Sequence, residues 1–167
     1  MRVDEVGPKV YDLITSIIGA QTELPSVPIV EEYGNAPRPS SAIFISYNPS
    51  PVMRMIGKQV QYPKTDTTPV QTIVEWEVPV TVREIGGYGQ YLQIIQTMQY
   101  SQVVRSFLYN ECMSILRINQ IIPIPRLLDD DRWERESSME MILAITHVVD
   151  DTTTTIDTVE LNNNIGE

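Results

Sequence analysis

Glu75 and Glu77 stand two residues apart in an alternating run, Val74-Glu75-Trp76-Glu77-Val78. In an extended chain that spacing puts both carboxylates on one face, roughly 6.5–7 Å apart. Two carboxylates at such a separation are the raw material of acid–base glycoside chemistry. The same spacing describes the solvent face of a half-buried strand, or a face turned to another subunit. No substrate cleft or aromatic platform is legible beside it, so catalysis is the weaker reading. Asp129-Asp130-Asp131 offers hard oxygen ligands of the kind that Ca²⁺ and Mg²⁺ prefer. Calcium loops, however, place acids at alternate positions with a glycine turn and a distal Glu, and a solvated turn is expected here. His147, the single histidine, has the chemistry of a general base. It has no Gly-x-Ser-x-Gly elbow to serve, and a structural or interface role is expected. Gly86-Gly87-Tyr88-Gly89 follows a strand-like run and precedes a helical one, as a phosphate loop would. It lacks the Gly-Lys-Ser/Thr ending, and a tight turn with positive backbone angles is the simpler expectation. Cys112 falls in what reads as a helical apolar stripe, which predicts a buried, inert thiol.

Composition narrows the classes further. The chain has 167 residues, 42% of them hydrophobic, enough for one globular domain over 1–167 with a real core. Twelve Lys and Arg against 22 Asp and Glu leave a net charge of −10. That balance argues against a dedicated nucleic-acid binder, which needs a basic face to displace counterions. It equally disfavours an anionic membrane surface. One cysteine excludes an intramolecular disulfide, and one Cys with one His excludes a four-ligand zinc site. No cofactor or metal is expected. Met1 to Pro8 lacks the apolar run of a signal peptide, and no stretch approaches the roughly 18 apolar residues of a membrane span. Nine of the twelve basic residues are Arg, the cation suited to desolvated interfaces. Trp133, between Arg132 and Glu134-Arg135, has the composition of an interface hot spot; a structural anchor at a strand start is the other reading.

The elements that must position these residues follow from periodicity. Val10, Leu13, Ile14, Ile17 and Ile18 recur at spacings of three and four and predict a helix over 9–19. Val27 to Tyr33 reads as a short edge strand between prolines, and 42–48 as a strand broken by Asn48-Pro49. Residues 50–70 read as an exposed excursion with its tip between Pro63 and Pro69. Over 72–84, Val74, Trp76, Val78, Val80 and Val82 alternate with Glu75, Glu77, Thr81 and Arg83, a strand with one apolar face. Pro79 cannot donate to a ladder and marks an edge or bulge there. Gln90 to about Leu116 reads as helical with a break near Tyr100-Ser101. A short strand over 117–125, a long one opening at Arg132 and running to Val149, a hairpin at 150–153 and a last strand to Asn162 complete the chain, ending in a polar tail at 162–167. Clustered strands with few helices predict an α+β fold, a mostly antiparallel or mixed sheet with helices packed on one face.

Three segments in this order carry a resemblance. Asn35-Ala36-Pro37-Arg38-Pro39 follows a short first helix and precedes a strand. A long Val/Glu strand ends in a glycine turn and a helix. Asp131-Arg132-Trp133-Glu134-Arg135 then runs into a strand and a final hairpin. The order resembles the phage neck terminator family, proteins of tailed bacteriophages related in architecture to tail terminators. The resemblance implies a non-enzymatic virion protein that forms a ring, expected to be hexameric, at the head–tail junction. Such a ring ends tail polymerisation, docks the tail to the head connector and lets DNA pass through its centre. It implies partners that are copies of itself and neighbouring connector, tube or sheath proteins, with assembly in the host cytoplasm. By the same resemblance Asn35, Pro37 and Arg38 shape the loop beside the first strands. Arg132, Trp133 and Arg135 anchor the strand that follows or touch a neighbour. Glu75, Glu77 and Asp129 to Asp131 are then candidates for an acidic channel lining. A collar, sheath-associated or tube-completion protein is the alternative within the virion, and a small acid–base hydrolase the alternative outside it.

Overall fold

The computed structural model describes residues 3–21, 24–32, 37–61, 70–127 and 133–151. Along the chain they form α1 (Val3–Gly19), β1 (Ile29–Glu31), β2 (Phe44–Pro49), β3 (Arg54–Gln61), β4 (Val70–Ile85), α2 (Gln90–Met98) and α3 (Gln102–Asn110). There follow β5 (Met113–Ile118), β6 (Ile122–Pro123), β7 (Arg126–Leu127), β8 (Trp133–Glu134) and β9 (Glu136–Asp151). Seven strands make one mixed sheet in the order β1-β2-β4-β9-β5, with β3 also on β4 and β6 also on β9. Among the described residues only β1 and β2 pair in parallel; β7 and β8 form a separate two-stranded ribbon. This is the α+β architecture expected of the sequence.

The alternation of β4 decides which face is covered. Val78, Val80 and Val82 are fully buried, as are Met141 and Leu143 directly opposite on β9. The helices lie over this face: Val10, Leu13, Ile14 and Ile17 of α1, Leu92 and Ile95 of α2, and Val104 of α3 are also at 0% exposure. Each such aliphatic side chain contributes about 1.5–3 kcal/mol relative to remaining in water. The α1 stripe matches the expected one, but the helix starts at Val3 and not at residue 9, so Pro8 lies inside it. The earlier turn carries Val6 into the core, which offsets the hydrogen bond that the proline cannot make. Pro79 sits where β4 changes its second neighbour from β3 to β2, a gap in which no ladder N–H is called for. Its carbonyl there accepts the Ser50 N–H at 2.7 Å.

The glycine turn after β4 is organised around Glu84. This carboxylate is fully buried; Oε1 accepts the Gly89 N–H and Oε2 the Tyr91 N–H, each at 2.8 Å. The donors at the start of α2 are thus satisfied by the chain's own anion, in the place where a phosphate loop would hold a phosphate. Gly86 and Gly89 take φ of +80° and +81°. At Gly87 space is the constraint: a Cβ would sit 1.9 Å from Glu84 Oε1.

Several expectations are corrected. Residues 54–61 are strand β3, not an excursion; Gly57 and a register shift between Met55 and Gly57 break the alternation that would reveal it. The helical reading to Leu116 fails after Asn110. Glu111 caps α3, Cys112 takes φ of +53° and is exposed rather than buried, and Ile115 belongs to β5. The break near Tyr100-Ser101 stands: the Ser101 hydroxyl caps α3 by accepting the Val104 N–H. The long strand begins at Glu136, after the separate β8. Residues 63–69, the acidic turn at 129–131, and the hairpin and strand beyond Asp151 lie outside the described residues.

Two outcomes follow for stability. Glu84→Ala leaves two buried N–H groups unpaired and is expected to cost about 2–4 kcal/mol in urea unfolding, with Glu84→Gln losing less. The Tyr47 phenol is pushed up to about 12 by burial, with Glu31, Tyr11 and Asp12 adding to the effect. Burial and then Glu84 push Tyr91 in the same direction. Both phenols hold their proton more tightly folded than unfolded. Their contribution is therefore complete below about pH 10, the ordinary tyrosine value, and is lost as pH rises toward 12. Alkaline unfolding followed by circular dichroism should show this fall, and Tyr47→Phe should flatten it.

Candidate functional site

The two segments singled out by the sequence, far apart in the chain, meet on the sheet face opposite the helices. Arg38 forms an ion pair with Glu134, and its guanidinium lies 5.4 Å from the centroid of the Phe44 ring. Phe44 pairs with Ile85, which alternation places on the face away from Val80 and Val82. The β7–β8 ribbon sets Arg126 opposite Glu134 and Leu127 opposite Trp133. The next residue, Arg135, stacks its guanidinium 4.1 Å over the Tyr88 ring, and its carbonyl accepts the Gly86 N–H at 2.8 Å. Trp133 is 68% exposed and Tyr88 75%, with Ile122, Ile124 and Leu127 also exposed nearby in the chain. A surface cavity of about 430 Å³ opens between Tyr88, Pro123, Pro125, Arg135 and Ser137. Large rigid aromatics beside arginines, exposed in the isolated chain, are the composition of a protein–protein contact.

A polar network adjoins this surface at Glu136, the residue after Arg135. Arg83 Nη1 meets Glu32 Oε1 at 2.9 Å, and its Nε lies 3.5 Å from Glu136 Oε1. The Ser46 hydroxyl donates to the same Glu32 oxygen at 3.0 Å. The Arg83 guanidinium of β4 therefore meets carboxylates from the chain after β1 and from β9, and Ser46 of β2 joins through Glu32, at positions that the strand pattern alone reads as a solvent face. Glu32 Oε2, Glu134 Oε2 and Arg83 Nε are enclosed without a hydrogen-bond partner among the described residues.

Glu75 and Glu77 lie on the same sheet face but toward the other end of β4. Glu77 pairs with Arg54 of β3 at 2.7 Å, and the Glu75 carboxylate lies close over Gly57. Ile85, beside the Trp133 surface, is eight residues further on, about 26 Å along an extended strand. The acidic pair and the aromatic surface are separate places. Pro37 is exposed at the start of its loop, and His147 is half-buried on β9 opposite Val74. Asn35, Asp129, Asp130, Asp131 and Arg132 lie outside the described residues. No grouping of metal-ligating side chains occurs among the described residues, and no described helix is long and apolar enough to cross a membrane.

Glu84, the Arg83 network and the Tyr88–Arg135 stack were missed by sequence reasoning. For Glu84 a signal exists: it continues the even-numbered series Val74, Trp76, Val78, Val80, Val82, and so falls on the covered face. A carboxylate at such a position must have buried donors.

Compared with known proteins, the chain matches the family model described as phage neck terminator protein over residues 9–167. No curated protein matches it.

Stability measurements should separate the surface from its support. Trp133→Ala is expected to change the unfolding free energy by less than about 1 kcal/mol, because the ring is mostly in solvent. Arg83→Ala strips Glu32 and Glu136 of their cation and is expected to cost about 1–3 kcal/mol. Denaturant titration of both variants checks the contrast.

Proposed function

Because the chain belongs to the phage neck terminator family, we propose that it closes into a ring at the head–tail junction. There it ends tail growth and docks the tail to the head connector. Family membership makes it a structural protein of the phage neck, placed in the virion and in contact with other head or tail proteins. The ring, expected to be hexameric, and the passage of DNA through it are the finer part of the proposal. A ring needs heterologous contacts, in which one surface of a copy meets a different surface of the next. The observation that carries the reading is the exposed surface with Trp133, Tyr88 and Arg135, beside the Arg83 network and drawn from segments on which the resemblance rests. Asn35, Pro37, Arg38 and Arg132 serve that surface or its loop.

The mechanism is geometric and electrostatic, with no turnover. Six copies at −10 each bring about −60 formal charges. Glu75 and Glu77 lie on the sheet face that the helices leave uncovered, and with Asp129 to Asp131 they are the proposed channel-facing acids. Like charge at short range keeps phosphates from binding, so DNA moves through rather than adhering.

Native mass spectrometry and negative-stain imaging test the ring. A closed oligomer, alone or on purified tails, is expected; a protein that stays monomeric and never joins tails or neck proteins sinks the reading. Trp133→Ala should weaken attachment to tails by about tenfold or more while leaving the fold intact. Replacing both Glu75 and Glu77 with Lys should create salt-sensitive DNA retention in a filter-binding assay, where the natural chain shows none.

A further inference from the structure

Beyond Ile145 the main sheet narrows. β9 is paired on its outer side by β6 and β5 only as far as Ile145, where β5 begins at Met113. Thr146 donates its N–H to the Cys112 carbonyl at 2.9 Å, and residues 147–151 then pair with β4 alone. On the other side β3 pairs with β4 alone. A three-stranded arm, β3-β4-β9, is left with two outer edges that have no strand partner among the described residues. An unpaired edge of eight residues presents a row of backbone donors and acceptors that readily takes another strand. β3 also exposes Met55, Ile56 and Val60, and the β9 edge exposes Val148.

The two edges differ in sign. β3 carries Lys58 and Arg54, the latter paired with Glu77 of β4, and no acid of its own. The end of β9 carries Asp150 and Asp151 and neither Lys nor Arg. In a chain of net charge −10, one basic edge strand facing away from one acidic edge is a complementary pair built into a single molecule. Both strands run antiparallel to β4, and so parallel to each other. A rotation about a ring axis preserves the sense of a strand along that axis, so β9 of one copy would meet β3 of the next in parallel, as β1 already meets β2. Two β3 strands related by a twofold axis would instead bring like charges together and close at two copies.

We propose that the β3 edge of one copy docks along residues 146–151 of β9 in a second copy, making the sheet continuous between neighbours. The inference rests on the ring reading and names one of its contacts. About six paired residues give a seam of roughly 20 Å.

Engineered cysteines test it in a Cys112→Ser background. The variant carrying both Gln59→Cys and Val148→Cys should yield a ladder of disulfide-linked oligomers on mild oxidation. A mixture of the two single variants should stop at dimers. Lys58→Glu should raise the concentration for half-assembly by about tenfold in native mass spectrometry. Adding Asp150→Lys to that variant should restore much of the loss. If the oligomer forms with no cross-link and Lys58→Glu leaves it unchanged, the edge pairing is overturned while the ring stands. If the natural chain never assembles, ring and edge pairing fall together.

Discussion

The register of β4 against β9 is the constraint from which the remaining structure follows. The two strands pair continuously from Val70 opposite Asp151 to Ile85 opposite Glu136. A slip of one residue would carry Glu75, Glu77, Thr81 and Arg83 beneath the helices and expel Val78, Val80 and Val82 into water. It would also move Glu84 away from the start of α2, whose N–H groups would then be buried without an acceptor. The apolar face and the helix cap therefore demand the same alignment, one through burial and the other through hydrogen bonding. Agreement between independent local demands is what makes a single fold win over its near neighbours.

The same ladder separates the molecule into two unlike ends. At the Ile85 end the β7–β8 ribbon and the loop carrying Arg38 meet on the face opposite the helices, and Arg135 stacks on Tyr88 of the glycine turn. At the Val70 end the helices no longer cover the sheet, and β3 and β9 flank β4 alone. Ion pairs Arg38–Glu134 and Arg83–Glu136 fix the strands beside the exposed aromatics. The glycine turn illustrates how a binding-like motif becomes structural. Its backbone donors point at an anion, but the anion is Glu84, and the loop has no capacity left for a phosphate.

Much of the framework was legible in the residue pattern. The α1 stripe, the β4 alternation and the break at Ser101 each depend on side chains within a few positions of one another. What escaped shares a cause. β3 is masked by Gly57 and a shifted register, which destroy period two within eight residues. Cys112 stays in phase with the α3 stripe, yet the backbone turns left-handed there and the helix stops. Of the site, Trp133, Arg38 and Arg135 were legible as interface-like residue types beside prolines and acids. The partners Tyr88, Glu134 and Phe44 were not, because nothing near any of them in the chain predicts its contact.

Residue order by itself determined which stretches are amphipathic, which face of β4 is apolar, and that the chain is acidic, without a disulfide and α+β in class. These properties follow from spacing within one turn or one strand and from summed charge, and neither needs the chain path. The tertiary structure alone decided that Arg38 reaches Glu134, that Arg83 holds both Glu32 and Glu136, and that β3 and the end of β9 are left as opposite edges of one arm. Those outcomes depend on strand order and register across many tens of residues, where contact is set by how the sheet is threaded and not by any local period.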